Sequence, residues 1–198
     1  MSGSHEIDSV DPLELFDRWL KQAQESEPND ANAAALATST ADGKPGVRMV
    51  LVKRIGERQF CFFTNAESRK GAELLENPRA ALCFHWKSLR RQVRVEGRVS
   101  ELDADDADVY FHSRSRGSQI GAAVSDQSRI LESREELDER VRKFGEENPG
   151  DISRPSFWRG FFIRAERIEF WLNGENRLHD RFLFTKDGDR WSKARLYP

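Results

Sequence analysis

The chain has 198 residues, with 32 Lys and Arg against 34 Asp and Glu and a formal net charge of −2. That length fits one domain with a substantial core, and the near-balance of charge argues against a dedicated nucleic-acid binder, whose domain is usually strongly basic. Thirteen Phe and five Trp exclude a disordered chain, no apolar run reaches the length of a membrane span, and Met1 to Glu6 lacks the apolar stretch of a signal peptide. A soluble cytoplasmic protein is expected. Cys61 and Cys83 sit singly in apolar runs and read as buried free thiols; no metal site is expected.

Asp11-Pro12-Leu13-Glu14 carries an N-cap residue, a Pro at the first helical position and a Glu three residues after the cap. Leu13, Phe16, Leu20 and Ala23 continue at helical spacing until Glu27-Pro28. The period then changes. Strands are predicted over 33–40 and 47–55 around a turn at Ala41 to Gly46, and over 59–64. A short helix follows over about 66–76, stopped by Asn77-Pro78. Two strands over 79–86 and 92–99 come next, then a mostly helical stretch over 103–148, broken around 117–129. Strands return over 157–163, 167–172, 178–185 and 190–196. Short strands in direct succession favour an antiparallel barrel with helical insertions over a parallel sheet. No internal domain boundary is evident.

Five stretches could carry chemistry. In Arg177-Leu178-His179-Asp180-Arg181, an extended chain would project Arg177, His179 and Arg181 from one face, close to Trp171. Such a face suits a planar anion; a solvated strand balanced by Glu175 and Asp180 is an equal reading. Arg48 and Lys53 flank an apolar strand and have opposite parity, so they leave opposite faces unless a bulge intervenes. Phe63-Thr64-Asn65 delivers polar groups to the start of a helix, where Arg69 and Lys70 favour a phosphate. The run from Lys87 to Arg98 is basic, but acidic residues follow it, and its interest lies in Gln92, an amide that both donates and accepts. Tyr110, Arg114 and Ser118 share one face of a continuous helix, although Gly117 is expected to end that helix. They form a compact donor set for a phosphate monoester. Two phosphate-grade clusters and a cationic face suggest two anionic ligands side by side.

Taken in order, these stretches resemble the pyridoxamine/pyridoxine 5′-phosphate oxidase family. The resemblance rests on Arg48-Met-Val-Leu-Val-Lys53, Phe63-Thr-Asn65 with Ser68-Arg-Lys70, Arg91-Gln-Val93, Tyr110-Phe-His-Ser-Arg114 with Ser118-Gln-Ile-Gly121, Gln127-Ser128, and Ile168-Glu-Phe-Trp171 with Arg177-Leu-His-Asp-Arg181. It implies a mainly antiparallel FMN-binding split β-barrel with flanking helices (α+β), spanning 11–198 as one domain with a helical insertion at about 103–148. Residues 1–10 would be a flexible N-terminal segment. It also implies a homodimer with sites at the subunit interface, and no nucleic-acid or membrane partner.

By the same resemblance, Arg48, Arg69, Lys70, Gln127 and Ser128 would hold the FMN phosphate and ribityl chain. Met49, Val50, Leu51, Val52 and Lys53, with Phe63 and Thr64, would line the cofactor; Gln92, Trp171 and Arg181 would flank its ring system. Lys53, Tyr110, Arg114 and Ser118 would bind the substrate phosphate. Arg177 and His179, with Leu178, would hold the pyridine ring and act in catalysis. The implied reaction takes pyridoxine 5′-phosphate or pyridoxamine 5′-phosphate to pyridoxal 5′-phosphate, by hydride transfer from C4′ to flavin N5, with O2 reoxidising the flavin to give H2O2. Alternatives are a flavin or deazaflavin reductase of the same barrel type, and a non-catalytic vitamin-phosphate or flavin carrier. The chain departs from the family at Phe63 (frequently Tyr), Ser115 (usually Pro), Ala123 (often a large residue) and Asp126 (commonly Lys). Its front end also lacks the Arg and Tyr that some relatives fold over the substrate.

Overall fold

The computed structural model describes Ile7 and residues 11–198. The expected flexible segment 1–10 lies, apart from Ile7, outside the described residues. Ile7 itself is buried, and its carbonyl accepts from Lys193 Nζ at 3.2 Å.

Helix α1 (Pro12–Ser26) starts as its sequence dictates. The Asp11 side chain accepts from Leu13 N–H, Pro12 fills the first turn, and Leu15, Phe16, Trp19 and Ala23 are buried along one stripe. Strands β1 (Ala33–Ser39), β2 (Pro45–Leu51), β3 (Lys53–Ile55) and β4 (Arg58–Asn65) follow. The single strand expected over 47–55 is two. Val52 still donates to the Asn32 carbonyl at 2.9 Å, and Asn32 Nδ2 donates back to the Val52 carbonyl at 2.9 Å. The next residue, Lys53, pairs instead with Cys61 of β4, and the register shifts between Lys53 and Ile55.

Helix α2 (Arg69–Glu76) begins three residues later than predicted, because Ser68 caps it by accepting from Gly71 N–H. Strands β5 (Arg79–Trp86) and β6 (Arg91–Glu101) are antiparallel neighbours. Then come α3 (Ala104–Ser113), α4 (Arg116–Val124) and α5 (Arg134–Glu147). The helices break twice, at Arg114-Ser115 and over 125–133; the break expected around 117–129 overlaps the second, while Gly117 falls inside α4 instead of ending a helix. Strand β7 (Trp158–Leu172) unites the two strands expected over 157–172, and β8 (Asp180–Asp187) and β9 (Arg190–Leu196) complete the chain. One boundary survives as a change of partner, since β7 pairs with β4 through Trp158–Phe162 and with β8 through Arg167–Leu172.

The strand order is β2-β1-β5-β6-β7-β4-β3, with β8 on β7 and β9 on β8. All these pairings are antiparallel. The path begins at β2 and ends at β3, yet only Val52 separates these strands in the chain, so the sheet curls back on itself. Phe16, Phe62, Phe84, Val93, Val95, Ile168 and Phe170 fill the interior, and a smaller cluster of Phe111, Ile120, Val124, Ile152 and Trp158 sits under the helical insertion. Burying each large apolar side chain contributes roughly 1.5–3 kcal/mol.

The outer sheet face is different. Val47, Met49 and Leu51 are 70%, 64% and 48% exposed. They lie opposite Ala37, Ala35 and Ala33 of β1, of which Ala37 and Ala35 in turn face Ala81 and Cys83 of β5. Small residues beside exposed apolar ones make a flat surface of the kind another protein surface covers. Cys83 lies on this face, half-buried, against the expectation that both thiols are buried. Cys61 is buried, which pushes its thiol up to about 11. Among the described residues no helix is long and apolar enough to cross a membrane.

Candidate active site

A cavity of about 500 Å³ opens where the ends of β2 and β4, the start of α2 and the α3–α4 junction meet. Thr64 and Lys70 line it from one side. Lys70 is 9% exposed and donates to Thr64 Oγ1 at 3.0 Å, Ser68 Oγ at 3.2 Å and Gln127 Oε1 at 2.6 Å. Thr64 also donates to Gln127 Oε1, at 3.1 Å. Burial and the positive charge of Arg48 pull the Lys70 ammonium down to about 8, against a smaller opposing pull from Glu73. Ser128, next to Gln127, is held at φ 76°, a left-handed conformation that costs energy for a side-chain-bearing residue.

Arg48 and Arg69 stand beside this cavity without lining it. Arg48 turns inward and donates to Thr38 Oγ1, to the Leu36 and Gly46 carbonyls at 3.3 and 3.4 Å, and to Glu73 at 3.1 Å. Arg69 donates to Glu73 at 2.8 Å and to the Pro45 carbonyl at 3.2 Å. Met49, Val50 and Leu51 line the cavity, while Val52 and Lys53 line a neighbouring one. Lys53 Nζ nevertheless reaches to 5.8 Å from the Tyr110 ring centre.

The remaining wall comes from Tyr110, Arg114 and Ser118. They do not share one helix. Tyr110 is on α3, Arg114 terminates it, and Ser118 is in the first turn of α4, where the Ser115 side chain caps the helix and lies 2.9 Å from Ser118 Oγ. The junction still brings all three to one cavity. Tyr110 stacks on Phe63 at 4.1 Å, and Phe63 on Trp158 at 5.1 Å. The Arg114 guanidinium lies 5.1 Å over the Trp158 ring, and its buried Nη1 has no hydrogen-bond partner among the described residues. Burial lowers its pKa, partly offset by Tyr110. A buried guanidinium nitrogen without a partner is costly, and an anion in the cavity would satisfy it.

Gln92, Trp171, Arg177, His179 and Arg181 do not line this cavity. Gln92 faces Trp171 across β6–β7, and Trp171 faces Arg181 across β7–β8, so these three share the outer sheet face. Arg181 donates to buried Glu169 at 2.7 Å and to the Tyr197 carbonyl at 3.0 Å; the Glu169 bond raises its pKa further. The expected cationic strand face is not formed. Asn176 and Arg177 adopt φ 51° and 62° in a 3-10 turn, and β8 starts only at Asp180, so Arg177 is off the strand. Arg177 and Leu178 are exposed. His179 is half-buried, 4.5 Å from the Trp171 ring, and its Nδ1 accepts from Gly174 N–H at 3.2 Å. That bond leaves the proton on Nε2, which becomes a donor.

Sequence reasoning missed Trp158, Ala122 and Ser125 as cavity residues, and Glu73 as the anchor of two arginines. The Arg69–Glu73 spacing of four on a helix was the one available signal for Glu73. Asp126, whose charge beside a phosphate site had no sequence rationale, pairs with Arg140 of α5 at 3.0 Å.

A family model described as pyridoxamine 5′-phosphate oxidase matches residues 20–146, and one described as the pyridoxine 5′-phosphate oxidase C-terminal dimerisation region matches 158–198. A pyridoxine/pyridoxamine 5′-phosphate oxidase of Gluconobacter oxydans is 54% identical, over 96% of this chain and 95% of its own length. One of Brucella canis is 55% identical, also over 96% and 95%. Among solved structures, PhzG from Burkholderia lata, in complex with tetrahydrophenazine-1-carboxylic acid, superposes with a TM-score of 0.92 at 28% identity, covering 100% of this chain and 98% of that one. A pyridoxamine 5′-phosphate oxidase-related, FMN-binding protein of Nostoc punctiforme shares the fold, with a TM-score of 0.77 at 17% identity over 96% and 100%. With both models matching in chain order and relatives this similar along nearly its whole length, the chain belongs to the pyridoxamine 5′-phosphate oxidase family.

Proposed function

We propose that this chain is an FMN-dependent oxidase that converts pyridoxine 5′-phosphate or pyridoxamine 5′-phosphate to pyridoxal 5′-phosphate, acting as a homodimer whose sites each draw on both subunits. The observation that carries the reading is the cavity with two cationic groups: Lys70 with Thr64 and Gln127, and Arg114 with its unpartnered buried Nη1. Two cations in one cavity call for two anionic ligands. A flavin reductase acting on another substrate, or a flavin carrier, leaves the Arg114 group without a purpose.

The residues present suit FMN. Lys70, Gln127, Ser128 and Arg69, beside the start of α2, would hold its phosphate and ribityl chain, with Arg48 behind them. Residues 49–53, Phe63 and Thr64 would line it, and Gln92, Trp171 and Arg181 would flank the ring system. Bound there, FMN would supply the two-electron acceptor for the C4′ hydride and return those electrons to O2.

The chain's own residues then have defined tasks. Arg114, Lys53, Tyr110 and Ser118 fix the substrate phosphate, so that the far end of the molecule is placed and not merely bound. Arg177, permanently charged and exposed on its turn, orients the pyridine ring and offsets negative charge developing on it. His179 donates from Nε2 to an acceptor on the substrate, and Leu178 packs beside it. On this reading Arg177, Leu178 and His179, which do not line the cavity of their own chain, would be contributed by the second subunit. The flat face of Val47, Met49 and Leu51 is where that subunit would sit, and Met49 and Leu51 also line the cavity.

The test is an anaerobic titration of FMN-loaded protein with pyridoxine 5′-phosphate, followed by the flavin's visible absorbance. Bleaching that reverses in air, with formation of an aldehyde, is the expected result. Flavin that binds and stays oxidised would point instead to the reductase or the carrier.

A further inference from the structure

Beside the cavity lies a charged group that the proposed chemistry does not use. Glu73 is 3% exposed. Its carboxylate accepts from Thr38 Oγ1, from Arg48 Nη2 at 3.1 Å and from Arg69 Nε at 2.8 Å. The backbone makes room for this arrangement. A Cβ on Gly46 would stand 2.6 Å from Arg48 Nη2 and 3.1 Å from each Glu73 oxygen, so a side chain there would collide with the cluster. A buried carboxylate is expensive unless paired, and among the described residues its charged partners are the two arginines beside the proposed cofactor phosphate site. The hydrogen bonds from Thr38 and the two arginines also hold its pKa below the usual carboxylate range despite burial, so it stays charged.

We propose that Glu73 is a positioning residue for cofactor-phosphate recognition: its carboxylate fixes the Arg48 and Arg69 guanidinium groups, and so sets the phosphate-binding geometry without touching the cofactor. The proposal rests on the FMN reading given above. Two effects of removing the carboxylate oppose each other. Losing a negative charge increases the local attraction for phosphate. Against this, the two arginines lose their common anchor, and Lys70 loses the one group that raises its pKa, so less of it is charged near neutral pH. A loose fork beside a partly neutral lysine makes the poorer phosphate site, because phosphate recognition depends on donor geometry as well as charge.

The experiment compares FMN with riboflavin, which lacks the phosphate, by quenching of flavin fluorescence on the flavin-free protein. Wild type should prefer FMN strongly. In Glu73→Gln, FMN affinity should fall roughly 10- to 100-fold, the cost of losing hydrogen bonds to charged groups, while riboflavin affinity holds. The fall of FMN affinity with rising pH should also move to lower pH. Adding Glu73→Gln to Arg69→Ala should cost less than it does in wild type, because the carboxylate acts through that arginine. Equal losses for FMN and riboflavin would reduce Glu73 to a folding role and overturn the proposal, as would tighter FMN binding. A wild type that binds FMN no better than riboflavin would overturn the cofactor-phosphate reading itself, and this proposal with it. Should Glu73→Gln fail to fold, Thr38→Val, which removes a hydrogen bond to the carboxylate and keeps its charge, should lower FMN affinity in the same direction with riboflavin unchanged; no selective loss would overturn the proposal.

Discussion

Single residues carry the charge logic of this site. Arg114 is held over Trp158 with a buried nitrogen that no described residue satisfies, so its removal should leave the substrate-free fold intact. Arg114→Ala is expected to raise KM for pyridoxine 5′-phosphate about a hundredfold, the loss of a charge-assisted phosphate contact. FMN affinity and the thermal midpoint should not fall; a lower midpoint with unchanged KM would make Arg114 structural. Lys70 gives a pH signature. Its free-state pKa is depressed to about 8, and a bound phosphate favours the charged form. FMN affinity is therefore full below pH about 8 and is lost as pH rises through it, by up to about tenfold per unit. Titrations between pH 7 and 10 should show that decline in wild type and not in Lys70→Gln; an equal decline in both would place the titrating group elsewhere. Both residues were singled out in the sequence, Lys70 at the start of a helix and Arg114 beside a phenol and a hydroxyl, and the structure brings both to one cavity. Arg177 was legible in kind but not in placement. Consecutive left-handed residues at Asn176 and Arg177 follow from the closure of one particular turn, not from the preference of either residue.

Elements decide where those residues stand. Strand alternation and helix caps predicted most boundaries, and the miss at 47–55 has a clear cause: a local pattern cannot reveal a change of partner. The apolar run 47–55 reads as one strand, yet Val52 marks the point where it leaves β1 for β4. At α3–α4 the Ser115 cap, and not Gly117, marks the break. Helix α2 shows how tightly an element can be specified. A Cβ on Gly71 would lie 2.2 Å from the Ala66 carbonyl oxygen, a backbone atom, and the Cβ is itself fixed rigidly to its Cα. Neither can swing aside as a flexible side chain could. Gly71→Ala must shift the first turn of α2, which carries Arg69, Lys70 and the capping Ser68. The expected results are a thermal midpoint lowered by roughly 5–10 °C, a penalty of a few kcal/mol in a chain of this size, and loss of FMN binding. A variant that keeps both would show that the turn can relax without moving the phosphate site.

For the whole molecule, the residues singled out for the substrate fall into two groups in one chain. Tyr110, Arg114 and Ser118 reach the cavity, while Arg177 and His179 do not. The sequence offered both groups as substrate residues and could not show that they stand apart, since strand order and chain closure set the spacing between distant segments. The exposed face of Val47, Met49 and Leu51 against small residues of β1 and β5 was hidden for a related reason. An apolar strand looks the same from either side until one side is known to be core. A homodimer with shared sites makes a quantitative prediction. Assayed with substrate near the wild-type KM, Arg114→Ala and Arg177→Ala should each be nearly inactive as homodimers. When the two are co-expressed and pair at random, about half of the dimers are mixed. A mixed dimer has one site carrying both substitutions and one carrying neither, so total activity should recover to about a quarter of wild type. If each site drew both residues from one chain, every site in every dimer would carry a substitution, and no activity would return. Met49→Asp, placed on the flat face, should abolish the recovery along with the dimer, which light scattering would register directly.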